Sequence, residues 1–164
     1  MDVVLEIGLA KGGVFYTLCQ LASDNAMMIS LDLPGGPYGL LVITEDAQCK
    51  TFLKANQTLH RINKDSHKDS TKDELLKILQ GKKIDLLFID GDHTYEGVKK
   101  DWEMYSPLVR KGGIIAFHDI NFHPRDITVQ VNKLWKEVKP NFKTVEFVDP
   151  VDPTWGGIGA LEYK

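Results

Sequence analysis

The stretch Ile84-Asp85-Leu86-Leu87-Phe88-Ile89-Asp90-Gly91-Asp92-His93-Thr94-Tyr95 constrains the fold more than any other part of the chain. Its first half is a short apolar run, dense enough for a strand buried on both faces, as in a parallel sheet. The run breaks at a glycine flanked by two acids and followed by a histidine. An ionised carboxylate is costly to bury without a partner, so Asp90 is expected to emerge where the strand leaves the sheet. In open parallel sheets that edge forms the crevice where ligands bind. The same form recurs along the chain: a hydrophobic strand, an acid at its end, then a turn into a helix. Function is therefore sought at the strand ends.

Val3-Val4-Leu5-Glu6-Ile7 reads as a buried strand carrying one acid, for which a core strand has no structural use. Gly8-Leu9-Ala10-Lys11-Gly12-Gly13 follows, where glycine allows tight turning and close approach of a ligand. The helix behind it carries Val14, Leu18 and Leu21 at core spacing, and its free N–H groups suit a polar or anionic group. Residues 26–32 form a second strand ending in Asp32, about 20 residues past the glycine turn, where nucleotide-binding folds place a ribose-binding acid. A turn-rich loop, Leu33-Pro34-Gly35-Gly36-Pro37-Tyr38-Gly39, comes next, then a predicted helix over about 44–59 with Glu45 and Asp46 in its first turn.

A weaker strand over 59–63 leads to the polar loop Lys64-Asp65-Ser66-His67-Lys68-Asp69, in which Asp65 and Ser66 are placed to reach a ligand. Thr71-Lys72-Asp73-Glu74 has the capping-box pattern and opens a helix with Leu75, Leu76 and Leu79 that stops at Gly81. After the organising strand, Tyr95, Val98, Trp102 and Tyr105 share one helical face and read as core packing. Pro107 and Gly112-Gly113 mark a turn before a strand over 114–117, which ends in His118-Asp119. A last helix carries Ile127, Val131, Leu134 and Val138. Residues 142–148 and 157–163 read as a closing hairpin, joined through Asp149-Pro150-Val151-Asp152-Pro153 and Trp155-Gly156-Gly157. His60, His67 and His123 read as loop residues.

Strands alternating with helices predict an α/β, Rossmann-like doubly wound sheet, mostly parallel with a C-terminal antiparallel hairpin and helices on both faces. A chain of 164 residues fits a single domain over 1–164. The net charge of -3 gives no electrostatic argument for nucleic acid or an anionic membrane. Cys19 and Cys49 are too few for a disulfide framework and predict reduced thiols in a cytoplasmic protein. No apolar run reaches membrane-spanning length, and no leader segment is expected ahead of Val3-Val4-Leu5.

Five parallel strands closed by a hairpin resemble the class I S-adenosylmethionine-dependent methyltransferase fold. Val4-Leu5-Glu6-Ile7-Gly8 with Gly12-Gly13 resembles its first cofactor motif, and Asp32 its ribose-binding acid. The run from Phe88 to Val98, then Pro107-Leu108-Val109-Arg110-Lys111-Gly112-Gly113 and Phe117-His118-Asp119, resembles methyltransferase family 24, with its cephalosporin hydroxylase-like and metal-dependent O-methyltransferase-like relatives. The resemblance implies that Glu6, Gly8, Gly12 and Gly13 line the methionine part of S-adenosylmethionine. It implies that Asp32 holds the ribose, that Asp65 and Ser66 flank the adenine, and that Asp90 borders the cofactor. It also implies a divalent metal such as Mg at Asp90, His118 and Asp119. Position 118 is usually an acid or its amide in those relatives, so a histidine there favours a softer ion or no metal. His118 serves equally as ligand or as orienting hydrogen-bond partner.

The implied function is O-methylation of a small-molecule hydroxyl, with Asp90 and His93 as catalytic residues and His93 as general base, its ordinary pKa being ~6.5. The alternative for His93 is a helix-start histidine bonded to a carboxylate. Relatives carry an N-terminal helical cover segment that the sequence is expected to lack, so either a homo-oligomer completes the pocket or activity is weak. Lys11 adds charge near the sulfonium. Three rivals remain: a non-catalytic cofactor-binding domain, a dinucleotide-binding oxidoreductase, for which the middle glycine of G-x-G-x-x-G is missing, and a hydroxylase, for which chain spacing shows no two-histidine-one-carboxylate iron site.

Overall fold

The computed structural model describes residues 1–35, 45–152, 154 and 156–164. Seven strands form one sheet: β1 (Val3–Ile7), β2 (Met27–Asp32), β3 (Thr58–Asn63), β4 (Ile84–Ile89), β5 (Val109–His118), β6 (Lys143–Phe147) and β7 (Ile158–Glu162). Around it lie α1 (Gly13–Leu21), α2 (Asp46–Lys50), α3 (Asp69–Leu79), α4 (Tyr95–Tyr105) and α5 (Val131–Val138). The strand order is β3-β2-β1-β4-β5-β7-β6. Strands β1 to β5 pair in parallel, β7 runs antiparallel to β5, and β6 antiparallel to β7. The expected doubly wound sheet with a terminal hairpin is therefore the architecture found. Its strand order reverses between β1 and β4, the switch point at which such sheets bind ligands.

Side chains on a strand alternate between its two faces, and here each face has its own core. Leu5, Ile7, Ile29, Leu31, Leu87 and Ile89 pack with Leu75 and Leu79 of α3, Val98 and Tyr105 of α4, and Leu134 and Trp135 of α5. Val4, Met28, Phe88 and Ala116 pack on the other side with Phe15, Leu18 and Cys19 of α1 and with Cys49 of α2. Helices thus cover both faces, which is why the strands could be near-continuously hydrophobic. Both cysteines are free and buried, and burial pushes the Cys19 thiol up to about 12. Among the described residues no helix is long and apolar enough to cross a membrane.

Several local expectations differ. The buried face of α1 is Phe15, Leu18 and Cys19, while Leu21 is 67% exposed. Starting at Gly13, the helix turns Phe15 and Cys19 inward beside Leu18, which is buried as expected. The helix expected over about 44–59 is the single turn of α2, its expected start at Thr44 lying outside the described residues. It stops early because β3 begins at Thr58, whose N–H donates to Ala26 beside β2. The Gln57 side chain holds the turn by donating to Cys19 and Ser23 carbonyls. Thr71 caps nothing: α3 starts at Asp69, Leu76 faces solvent, and the Thr71 hydroxyl donates to the Asp65 carbonyl at 2.7 Å. Gly112 and Gly113 lie inside β5 as an irregularity, with Gly112 at φ 72°, rather than ahead of the strand. Ile127 precedes α5 and is 74% exposed. His60 lies on β3, not in a loop. Of the turn-rich loops, residues 36–44 and positions 153 and 155 lie outside the described residues.

Candidate active site

The site is built where the C-terminal ends of β1, β2, β4 and β5 meet. Gly8 leaves β1 at φ 91° and donates its N–H to Leu31 at 2.9 Å. A Cβ at Gly8 would stand 2.1 Å from the Asp90 carbonyl oxygen, so the turn after β1 touches the turn after β4 backbone to backbone. The Asp90 N–H in turn donates to Ile7 at 2.8 Å. Gly12, at φ 73°, forms the N-terminal boundary of α1.

Asp32 organises this turn. Its Oδ1 accepts the Leu9 N–H at 3.1 Å. Its Oδ2 is buried and, among the described residues, has no hydrogen-bond partner; the same holds for Glu6 Oε2. Glu6 is 1% exposed. Its burial, then the charges of Asp90 and Asp32, hold its carboxyl well above the usual range, which places all three acids within one electrostatic neighbourhood.

At the ends of β4 and β5, two carboxylates meet three imidazoles. His93 Nε2 lies 3.2 Å from Asp90 Oδ1, and His93 Nδ1 lies 2.8 Å from Asp119 Oδ2. His118 Nδ1 is 3.2 Å from Asp90 Oδ1 and 3.2 Å from Asp119 Oδ1. His123 Nε2 reaches Asp119 Oδ1 at 3.3 Å. One donor atom each from Asp90, His93 and Asp119 fall within 4.8 Å of one another. Asp119 sits at φ 59°, a conformation costly for a residue with a side chain and found where a site requires it. Burial alone would lower the His93 pKa, but its bonds to Asp119 and Asp90 and their charges push it up to about 10. The bonds to Asp119 and Asp90 likewise push His118 up to about 10 against the effect of burial. Burial raises Asp90 and Asp119, yet His118 and His93 outweigh it and hold both below the usual carboxylate range.

Asp65 and Ser66 stand beyond the end of β3, along the same edge of the sheet. The Asp65 carboxylate accepts the His67 N–H at 2.9 Å, which holds its pKa down, and the Ser66 carbonyl accepts from Tyr105 Oη at 2.5 Å. His67 Nε2 lies 3.4 Å from Asp101 Oδ1. Asp101 is fully buried on α4, and burial holds its carboxyl above the usual range despite His67 and Ser66. Asp101 also backs the turn after β4, since a Cβ at Gly91 would lie 3.5 Å from its Oδ2.

The fold thus gathers Glu6, Asp32 and Asp90, and joins Asp90 to Asp119 through His93 and His118. Asp65 and Ser66 sit farther along the edge; Gly13 and Lys11 are exposed. Two histidines and carboxylates do come together, although chain spacing did not reveal it. Sequence reasoning missed His123, His67 and Asp101. Only Asp101 left a trace: it falls between Val98 and Tyr105 on the apolar face of α4, where an acid is out of place.

Solved structures with the same fold include a protein from Staphylococcus aureus described as a candidate caffeoyl-CoA O-methyltransferase, with a TM-score of 0.65, 20% identity, and coverage of 98% of this chain and 76% of that one. An O-methyltransferase from Bacillus cereus, solved in complex with SAH, gives 0.61 and 18%, covering 98% and 74%. MycE methyltransferase of the mycinamycin biosynthetic pathway, solved with Mg, SAH and mycinamycin VI, gives 0.62 and 15%, covering 99% and 44%. The chain spans 16% and 17% of the length of the curated relatives it matches, uncharacterised proteins of Acanthamoeba polyphaga mimivirus and Sinorhizobium fredii. The family model described as a methyltransferase domain matches residues 5–120, from β1 through the Asp119 turn. That span contains the glycine turn, Asp32, the β3 loop and both strand ends of the acid–imidazole cluster, and by it the chain belongs to methyltransferase-domain family 24.

Proposed function

We propose that this chain transfers the methyl group of S-adenosylmethionine to a hydroxyl of a small cytoplasmic molecule, with a divalent ion at the ends of β4 and β5. The observation that carries the reading is the pair of buried, unpartnered acceptors at the switch point, Glu6 Oε2 and Asp32 Oδ2. Each unmet acceptor of this kind costs ~1–3 kcal/mol, so the crevice favours a ligand rich in hydroxyl and ammonium donors. S-adenosylmethionine has both, on its ribose and its amino-acid end. Asp65 and Ser66 stand where a base would extend along the edge.

When bound, the cofactor supplies a methyl group already activated by sulfonium, so the protein's task is to position and deprotonate the acceptor. His93 suits the second task. Asp119 and Asp90 hold the ring protonated, and a divalent ion taking up their charge would lower its pKa, so that Nε2 would lose its proton to solvent and could then take the acceptor's while Nδ1 stays on Asp119 Oδ2 at 2.8 Å. The donor set also fits an ion. Two ligands bound at about 2.1 Å and at right angles lie about 3.0 Å apart, and His118 Nδ1 is 3.2 Å from an oxygen of each acid. An ion held by Asp90, Asp119 and His118 would lower the pKa of the acceptor hydroxyl.

The test is calorimetry with S-adenosylhomocysteine. Asp32→Ala is expected to abolish measurable binding while the protein stays folded by circular dichroism. Unchanged affinity would remove the basis for this reading.

A further inference from the structure

The acids at the ends of β4 and β5 have an unusual companion for a site meant for magnesium. Mg²⁺ seeks oxygen ligands in a near-ideal octahedron and keeps its waters. Imidazole nitrogen suits iron, cobalt, nickel and zinc, and the affinity of nitrogen-containing sites rises from manganese through iron and cobalt to nickel. Here His118 Nδ1 stands equidistant, at 3.2 Å, from Asp90 Oδ1 and Asp119 Oδ1. That one nitrogen therefore has an oxygen of each acid as a neighbour. No single nitrogen of His93 reaches both acids in this way: its Nε2 lies 3.2 Å from Asp90 Oδ1 while its Nδ1 faces Asp119. His93 Nδ1 holds the other oxygen of Asp119 at 2.8 Å, and buried His123 reaches Asp119 Oδ1 at 3.3 Å. Rings bonded to ligating carboxylates orient them and are as much part of such a site as the ligands. The His93 and His118 rings lie 6.5 Å apart centre to centre, on separate approaches to the carboxylate pair.

We infer that this site selects a first-row transition ion over Mg²⁺ and Ca²⁺, because His118 Nδ1 replaces an oxygen as the third protein ligand beside Asp90 and Asp119. The inference rests on the proposal that these acids hold an ion, and it does not require that the reaction be methyl transfer. His93 stays outside the ligand set and keeps its proposed role as base. His118, by this assignment, determines which ion the domain uses.

Chelator-stripped protein titrated with MgCl₂, MnCl₂ and CoCl₂ by calorimetry gives the ranking directly. Co²⁺ is expected to bind about 100-fold or more tightly than Mg²⁺. Proton NMR of the cobalt form gives a second readout. A ring bound through Nδ1 keeps an exchangeable Nε2–H, which should appear as a hyperfine-shifted line. His118→Asn should remove that line, His118→Asp should narrow the Co²⁺/Mg²⁺ gap to less than about tenfold, and His93→Ala should leave the ranking unchanged. Equal affinity of the wild type for Co²⁺ and Mg²⁺ overturns the inference, and this comparison needs no variant to fold. Survival of the shifted line in His118→Asn, or its loss in His93→Ala, overturns the assignment to His118. S-adenosylhomocysteine in the same calorimeter separates the two readings. Preference for Co²⁺ without binding of that ligand upholds the ion inference and ends the methyl-donor reading. Binding of that ligand without any ion does the reverse.

Discussion

Two glycines of one turn should respond to the same substitution in opposite ways. In Gly8→Ala the new methyl would lie 2.1 Å from the Asp90 carbonyl oxygen and 2.5 Å from its carbon. Both are backbone atoms, so no side-chain rotation relieves the overlap. The turn after β1 must part from the turn after β4 by about an ångström, straining the Asp90–Ile7 and Gly8–Leu31 bonds of 2.8 and 2.9 Å. Such overpacking costs ~1–3 kcal/mol, and a left-handed φ of 91° adds ~1–2 kcal/mol for an L-residue. The sum, ~2–5 kcal/mol, is a large part of the ~5–15 kcal/mol that holds a domain together. It corresponds to a melting point lower by roughly 5–15 °C. Gly13, the first residue of α1, has nothing within 4 Å of its would-be Cβ. Gly13→Ala should be neutral or stabilise by up to ~1 kcal/mol by restricting the unfolded chain. Urea unfolding and thermal melts of both variants measure the contrast. A Gly8→Ala protein as stable as wild type, or a Gly13→Ala protein weaker by more than ~1 kcal/mol, would refute the packing argument. A stable Gly13→Ala protein that no longer binds S-adenosylhomocysteine would show that this glycine serves the ligand and not the fold.

His93→Ala should lower turnover by about 10²–10⁴ while sparing S-adenosylhomocysteine affinity; equal loss of both in kinetics and calorimetry would make the residue structural. Glu6 is an acid whose folded pKa lies above its unfolded value near 4.5, so its contribution to stability is present below that value and lost as pH climbs through the raised one. Glu6→Gln should therefore flatten the fall in urea midpoint above pH 4.5 and be the more stable form at neutral pH; parallel curves for the two proteins would contradict this. Tyr105→Phe removes the bond to the Ser66 carbonyl and should cost ~0.5–1.5 kcal/mol. Hydrogen exchange should quicken at residues 64–68 while β4 stays protected, and an unchanged exchange pattern would deny α4 any hold on that loop.

Which parts of this molecule could be read from its sequence follows from the range of the interactions involved. Strands β1, β2 and β4 were legible because an apolar run is a local signal, and an acid closing such a run must reach a partner or a ligand. Asp90, His93, His118 and Asp119 lie within two short motifs, so they could be singled out before the fold was known. The faces of α1 and α3 were misread by a residue or two because their rotation is set by the sheet beneath them. His67 and His123 do lie in loops, but their partners were not read: Asp101 on α4 is 34 residues from His67, and Asp119, four residues before His123, faces it only because the chain turns after β5.

The same distinction bears on what each part of the site can do. Asp90 and Asp119 directly follow the last residues of β4 and β5, so the sheet fixes where they stand. Of the imidazoles around them, His93 and His123 lie in the turns after β4 and β5, while His118 is the last residue of β5 and pairs with Ile158 of β7. The ladder to β7 runs through the His118 backbone and not its ring, so a side-chain change there can alter the ion without altering the fold. On that argument His118 rather than either acid is the position at which related domains would differ in the ion they hold, and His118→Asp is the change that should carry this chain toward the oxygen-only arrangement.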